Sequence, residues 1–242
     1  MVHWTCPLHD RGGAPGQSPV RGGGSEAGGR GGGGPSHLDA AAGSSAAVSA
    51  AGPSGFLDAL RAVRDGLSDL GRPWMVIGGV AVIASGVPRY TADIDATLSA
   101  PDESPEGLIA ALRPYGIVPR LDDAVAFARE RQVLLLRHEP SGVPLDISLA
   151  WLPFEEEAIA AAHEADYAGV PVRLPRVEDL IIYKLVASRP RDIDDVERLL
   201  ALHGPSLDLP RLRQIVGEFA QALDDQERPE ALARLLRQAR LA

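Results

Sequence analysis

Apolar positions return along this chain in two rhythms. Phe56, Leu60, Val63, Leu67 and Leu70 recur at alternating spacings of four and three, which predicts an amphipathic helix capped by Ser54 and stopped by Gly71. Trp74-Met75-Val76-Ile77 is a short buried strand that runs directly into Gly78-Gly79, and an apolar helix over 80–85 follows, ended by Gly86. The next strand is expected over 90–98, and Ser104-Pro105 opens a helix that must close before Pro114-Tyr115-Gly116. Apolar runs at 131–138 and 143–150, joined by Pro140, Ser141 and Gly142, predict a hairpin. Residues 155–163 are Ala-rich and helical by pattern, and 167–174 form a short extended pair turning at Ala168-Gly169. Beyond Pro175 the pattern is helical throughout, over 177–188, 192–202, 210–223 and 230–241. Strands mostly first and helices after predict an α+β fold, with a core over 54–175 and a helical C-terminal part over 176–242.

Composition changes the picture at the N-terminus. Residues 1–53 are a Gly, Ala, Ser and Pro run with almost no large apolar side chain, so burial cannot offset the entropy of ordering and a disordered tail is expected. The tail has no uninterrupted apolar segment of the signal-peptide kind, and no later stretch is long and apolar enough to span a bilayer, so a cytoplasmic protein without a membrane association is expected. Cys6, the single cysteine, stands near His3 and His9, too few ligands at too irregular a spacing for a metal site. The formal net charge is −9. Arg11, Arg21 and Arg30 balance Asp10, Glu26 and Asp39 within the tail, so the excess lies on the folded part. An acidic domain is a poor general binder of nucleic-acid backbones. Arg234, Arg237 and Arg240 on the last helix offer a local basic strip, which reads most simply as a solvated face.

The chemistry concentrates in GGVAVIASGVPRYTADID, Gly78 to Asp95. Gly78 and Gly79 lack a Cβ, so backbone N–H groups can approach a polyphosphate while the following helix presents its positive end to the same anion. Residues i and i+2 of a strand share a face, so Asp93 and Asp95 can chelate one hard cation. Two carboxylates seldom position a pair of Mg²⁺ ions about 4 Å apart, the arrangement of two-metal phosphoryl and nucleotidyl transfer. Asp146, the lone acid inside an apolar strand candidate, supplies a third.

The double glycine, the later Asp-x-Asp and a third Asp on a separate strand resemble the pattern of the DNA polymerase beta superfamily of nucleotidyltransferases. In the form carried by Gly78, Gly79, Ala81, Gly86, Arg89, Thr91, Asp93, Ile94 and Asp95, the run is similar to AbiEii-type toxin nucleotidyltransferases. A second stretch, Tyr183 to Asp195, resembles the K-L-x-A-x-R-x-(K/R)-D-x-x-D segment of that family. Lys184 within it is the sole lysine among 24 basic residues, and lysine is a compact charge suited to a phosphate.

The resemblance implies a mixed β-sheet core flanked by helices and transfer of an NMP from an NTP to an acceptor hydroxyl. Asp93, Asp95 and Asp146 would hold Mg²⁺ or Mn²⁺. Gly78, Gly79, Arg89, Thr91 and Lys184 would hold the triphosphate, and Asp192 and Asp195 would support it. The acceptor stays open among a tRNA end, a protein hydroxyl and a small molecule, and a toxin with a cognate antitoxin is one form the family takes. A catalytically silent module with the same fold is the alternative.

Each residue also has a plainer role. Gly78-Gly79 can be an ordinary tight turn, Asp93 and Asp95 solvent-facing acids on an edge strand, and Asp146 an acid paired with an arginine. Lys184 can snorkel, Asp192 and Asp195 can cap a helix, and Arg89 and Thr91 can anchor a strand.

Overall fold

A computed structural model describes residues 53–241. The run 1–52, with His3, Cys6 and His9 and the disorder expected there, lies outside the described residues. The chain begins with α1 (Pro53–Asp69), β1 (Trp74–Ile77), α2 (Gly78–Ala84), β2 (Ile94–Leu98) and α3 (Pro105–Leu112). Next come β3 (Ile117–Pro119), α4 (Ala124–Arg131), β4 (Val133–His138), β5 (Pro144–Leu149) and α5 (Pro153–Ala160). A two-stranded β6 (His163–Tyr167) and β7 (Val170–Leu174) precede α6 (Val177–Ala187), α7 (Pro190–His203), α8 (Leu209–Leu223) and α9 (Glu227–Gln238). This is the expected α+β class with a mixed sheet. Among the described residues no helix is long and apolar enough to cross a membrane.

The main sheet has the order β1-β2-β5-β4-β3, with β2 and β5 parallel and the other neighbours antiparallel. Its two central strands alternate strictly. Ile94, Ala96 and Leu98 of β2 and Leu145, Ile147 and Leu149 of β5 are buried on one face, with Leu134 and Leu136 of β4 beside them. Each fully buried side chain of this size contributes about 1.5–3 kcal/mol relative to exposure. On the other face the register pairs Asp95 with Asp146 and Thr97 with Ser148. A one-residue slip of either strand would exchange these faces and bury the acids in the core, so the apolar alternation fixes the position of the two aspartates.

The helices close the core on both sides. Leu60, Val63 and Leu67 of α1 are fully buried, as the spacing predicts, and Gly71 ends the turn at φ +62°. β7 turns Val170, Val172 and Leu174 inward against α1 and β1. α6 is the central helix of the C-terminal part, buried nearly all round and packed by α7, α8 and α9. An ionic clamp ties it down: Asp179, fully buried, accepts from Arg176 Nε at 2.7 Å and Arg211 Nη1 at 2.7 Å. The same arginines reach Glu157 of α5 at 3.1 and 2.9 Å, and their hydrogen bonds hold the Glu157 carboxyl below its usual value.

Several local expectations need correction. The helix after β1 starts at Gly78, not Val80, so both glycines belong to its first turn. β2 starts at Ile94 rather than Tyr90. Residues 85–93 instead form a loop held from α7: His203 Nε2 lies 2.8 Å from Ser85 O, Arg198 Nη1 donates to Pro88 O at 3.3 Å, and Arg89 pairs with Asp195. β3 and α4 were not expected at all. β3 has only three residues, and α4 buries only Ala124 and Ala128, too little for an apolar period to show. The Ala-rich helix ends at Ala160, and His163 opens β6.

Candidate active site

One row across the sheet carries the acids. Arg120, next after β3, donates its N–H to Leu135 O at 3.0 Å; Leu135 pairs with Asp146, Asp146 with Asp95, and Asp95 with Ile77. Cross-strand neighbours share a face, so Asp95 and Asp146 point the same way from adjacent strands. Asp93 lies on the approach to β2, two residues before Asp95, and Thr91 Oγ1 donates to its Oδ1 at 3.0 Å.

The diglycine closes the row. Gly78 follows Ile77 at φ +63°, a conformation nearly reserved to glycine. A Cβ there would fall 2.7 Å from Asp95 Cγ and 2.8 Å from Asp95 Cβ, so the aspartate fits only because the side chain is missing. A Cβ on Gly79 would lie 2.7 Å from Thr91 Cβ and 3.1 Å from Arg89 Nη2. Gly78, Gly79, Arg89, Thr91, Asp93, Asp95 and Asp146 therefore line one neighbourhood, at the C-terminal end of β1 and the N-terminal ends of β2 and β5.

Arg89 joins this neighbourhood to the second motif. It pairs with Asp195, whose Oδ2 is 2.9 Å from Lys184 Nζ; that ammonium also donates to Asp192 Oδ1 at 3.0 Å. Lys184 is buried, not snorkelling, and two of its three donors are committed to carboxylates. Asp192 caps as well as pairs, its Oδ2 accepting from Arg189 N at 3.3 Å. The supporting network thus sets three cations, Arg89, Lys184 and Arg189, against two carboxylates, Asp192 and Asp195. Of these cations Arg89 stands next to Gly79, where its guanidinium suits an anion.

Sequence reasoning missed Arg120. Its Nη2 pairs with Asp146 Oδ1, 26 residues away in sequence. Asp146 is 4% exposed and the Arg120 side chain 30%, so the acid is covered and the arginine is half in water. Among the described residues, no three His, Cys, Asp or Glu side chains gather into a group that could hold a metal. The donors nevertheless fit a hard divalent cation: they are carboxylate oxygens, two of them in register on one face. In a three-carboxylate set Asp93 would also carry its contact from Thr91, and Asp146 would meet the cation beside Arg120.

A perturbed acid elsewhere is structural. Glu155 is raised by burial, against the hydrogen bonds its Oε2 accepts from Trp151 N at 3.0 Å and Leu152 N at 3.1 Å. It sits just past the far end of β5 and ties the first turn of α5.

A family model described as nucleotidyl transferase AbiEii toxin, type IV toxin–antitoxin system, matches residues 60–241. The chain belongs to the AbiEii nucleotidyltransferase family. It is a transferase of that family, and the matched span contains both motifs and Arg120. No curated protein matches the chain at the sequence level. Similar solved structures include that of the antibiotic-resistance factor ANT(2'')-Ia in solution, at 22% identity and TM-score 0.48, covering 71% of this chain and 94% of that one. JHP933 from Helicobacter pylori is similar at 17% identity and TM-score 0.44, over 79% and 92% of the two chains. An antigenic nucleotidyltransferase-like protein from Paracoccidioides brasiliensis is similar at 15% identity and TM-score 0.45, over 74% and 91%.

Proposed function

We propose that this AbiEii-family chain moves an NMP from an NTP to an acceptor hydroxyl, with Asp93, Asp95 and Asp146 as the acidic centre. The carrying observation is the in-register pairing of Asp95 with Asp146 beside a glycine whose missing Cβ makes room for Asp95. The acceptor oxygen attacks the α-phosphorus as the bond to pyrophosphate breaks in line, and the hydroxyl proton passes to a carboxylate, for which Asp146 is our choice. Asp93, Asp95 and Asp146 would hold Mg²⁺ or Mn²⁺, which when bound neutralises charge on the transferring phosphoryl group.

The chain's own residues do the positioning. The first turn of α2, with Gly78 and Gly79, offers backbone N–H groups and the positive end of a helix to the triphosphate. Arg89 reaches Gly79, and Lys184, fixed by Asp192 and Asp195, keeps one donor beyond its two carboxylate contacts; we assign both to the phosphates, with Thr91 orienting Asp93. In this reading residues 54–175 are the catalytic core and 176–242 the helical part that contributes Lys184, Asp192 and Asp195. Catalysis is then mostly alignment and charge neutralisation.

Family membership supports a toxin with a cognate antitoxin as partner, acting in the cytoplasm where NTPs are abundant. The acceptor is a tRNA end, a protein hydroxyl or a small molecule. Incubation of the full chain with each α-labelled NTP and a cell lysate, followed by separation of RNA, protein and small-molecule fractions, assigns it. Label entering one fraction in a cation-dependent way is the expected result. No incorporation from any NTP, together with no cation-dependent NTP binding by calorimetry, would return the chain to a silent module.

A further inference from the structure

We propose that Arg120 is a further positioning residue of this site: its guanidinium holds Asp146 in the cation-free protein and yields that carboxylate when a divalent cation binds. Cation entry and Arg120 release are then a single exchange. The inference rests on the assignment of Asp146 to the cation.

Three observations carry it. Asp95 and Asp146 stand in register on adjacent strands, and two carboxylates this close repel each other unless a positive charge lies nearby. Arg120 supplies that charge at Asp146 Oδ1, on the carboxylate the cation would share. The two ends of Arg120 are also held very differently. Its backbone N–H is fixed to Leu135 O at 3.0 Å, in the same row as the acids, whereas its side chain is 30% exposed over a carboxylate that is only 4% exposed. The guanidinium can swing into water without disturbing the sheet, and Asp146, fixed within β5, cannot follow it. A guanidinium is permanently charged, so no proton has to move for the exchange. What releases it is a competitor of higher charge.

Mn²⁺ titrations of the full chain by calorimetry, paired with thermal unfolding at zero and saturating Mn²⁺, test this on wild type, Arg120→Ala, Arg120→Lys and Asp146→Asn. Arg120→Ala is expected to bind Mn²⁺ about tenfold more tightly than wild type, because the ion no longer competes with an internal cation. The same variant melts below wild type without Mn²⁺ and gains more from saturating Mn²⁺. Arg120→Lys, which retains the charge, is expected to fall between the two and carries the test should Arg120→Ala fail to fold. Equal or weaker Mn²⁺ affinity in both arginine variants, with the same melting loss at zero and saturating Mn²⁺, would overturn the proposal and leave Arg120 a structural anchor. Asp146→Asn tests the underlying assignment separately: undiminished Mn²⁺ affinity there would remove Asp146 from the cation site whatever Arg120 does.

Discussion

Gly78→Ala is the substitution whose effect the backbone specifies most fully. Gly78 sits at φ +63°, and an added Cβ would stand 2.7 Å from Asp95 Cγ. Two effects add. An L-residue forced into the left-handed region costs about 1–2 kcal/mol. Displacing a packed neighbour costs about 1–3 kcal/mol more. Gly142→Ala isolates the first effect: Gly142 has φ +73° but nothing within 4 Å of its would-be Cβ. Denaturant unfolding of both variants should show Gly142→Ala losing about 1–2 kcal/mol and Gly78→Ala about 2–5 kcal/mol. The difference between them is the contribution of Asp95 being pushed aside. Transfer activity should separate them further. Gly142→Ala lies in the β4–β5 turn and should keep the wild-type rate, whereas moving the Asp95 carboxylate by about 1 Å should reduce NMP transfer on the order of 100-fold. Equal stability loss in the two variants with undiminished transfer by Gly78→Ala would refute the claim that Gly78 exists to seat Asp95.

Three further outcomes follow from the surrounding charges. Lys184→Met leaves Asp192 and Asp195 buried without their shared cation and should lower stability by about 3–5 kcal/mol; an unchanged denaturant midpoint would mean that Lys184 serves the phosphate alone. Glu155 is raised above its usual 4.5 by burial, so its contribution to folding is complete below that value and is lost as pH rises through the folded-state value. The stability of wild type relative to Glu155→Gln should therefore decline as pH rises above 4.5, and a difference that does not vary with pH would contradict the burial argument. Arg89→Ala should loosen residues 85–93 from α7, read as faster amide hydrogen exchange in that loop; unchanged exchange would show that His203 and Arg198 hold it unaided.

The part of this molecule that could be read in advance is the part written in local pattern. α1 declares itself through Leu60, Val63 and Leu67, and the hairpin β4–β5 through two apolar runs about a Pro-Ser-Gly turn. The diglycine and Asp-x-Asp stand within 18 residues of one another, from Gly78 to Asp95, so their proximity needed only a strand, a short helix and a return strand. The alternation in Ile94-Asp95-Ala96-Thr97-Leu98 and Leu145-Asp146-Ile147-Ser148-Leu149 held more than was taken from it. Read as two half-polar strands, it already places the aspartates on a common face. What stayed hidden is long-range and electrostatic. Arg120 reaches Asp146 over 26 residues, and Arg89 reaches Asp195 over 106. Neither contact leaves a periodic trace, and the short β3 that aims Arg120 is below the length at which alternation can be recognised. Residues 90–93 were expected as strand because they are extended-compatible; they belong instead to a loop that three contacts from α7 hold at Ser85, Pro88 and Arg89.

The account stands on Asp95 and Asp146 acting together on a cation-bound nucleotide. Its most direct test compares wild type with the Asp95→Asn, Asp146→Asn double variant, following Mn²⁺-dependent NTP binding by calorimetry and NMP transfer with labelled NTP. The double variant should remain folded and should lose both cation-dependent NTP binding and label transfer. Transfer at the wild-type rate from a chain lacking both charges would contradict it.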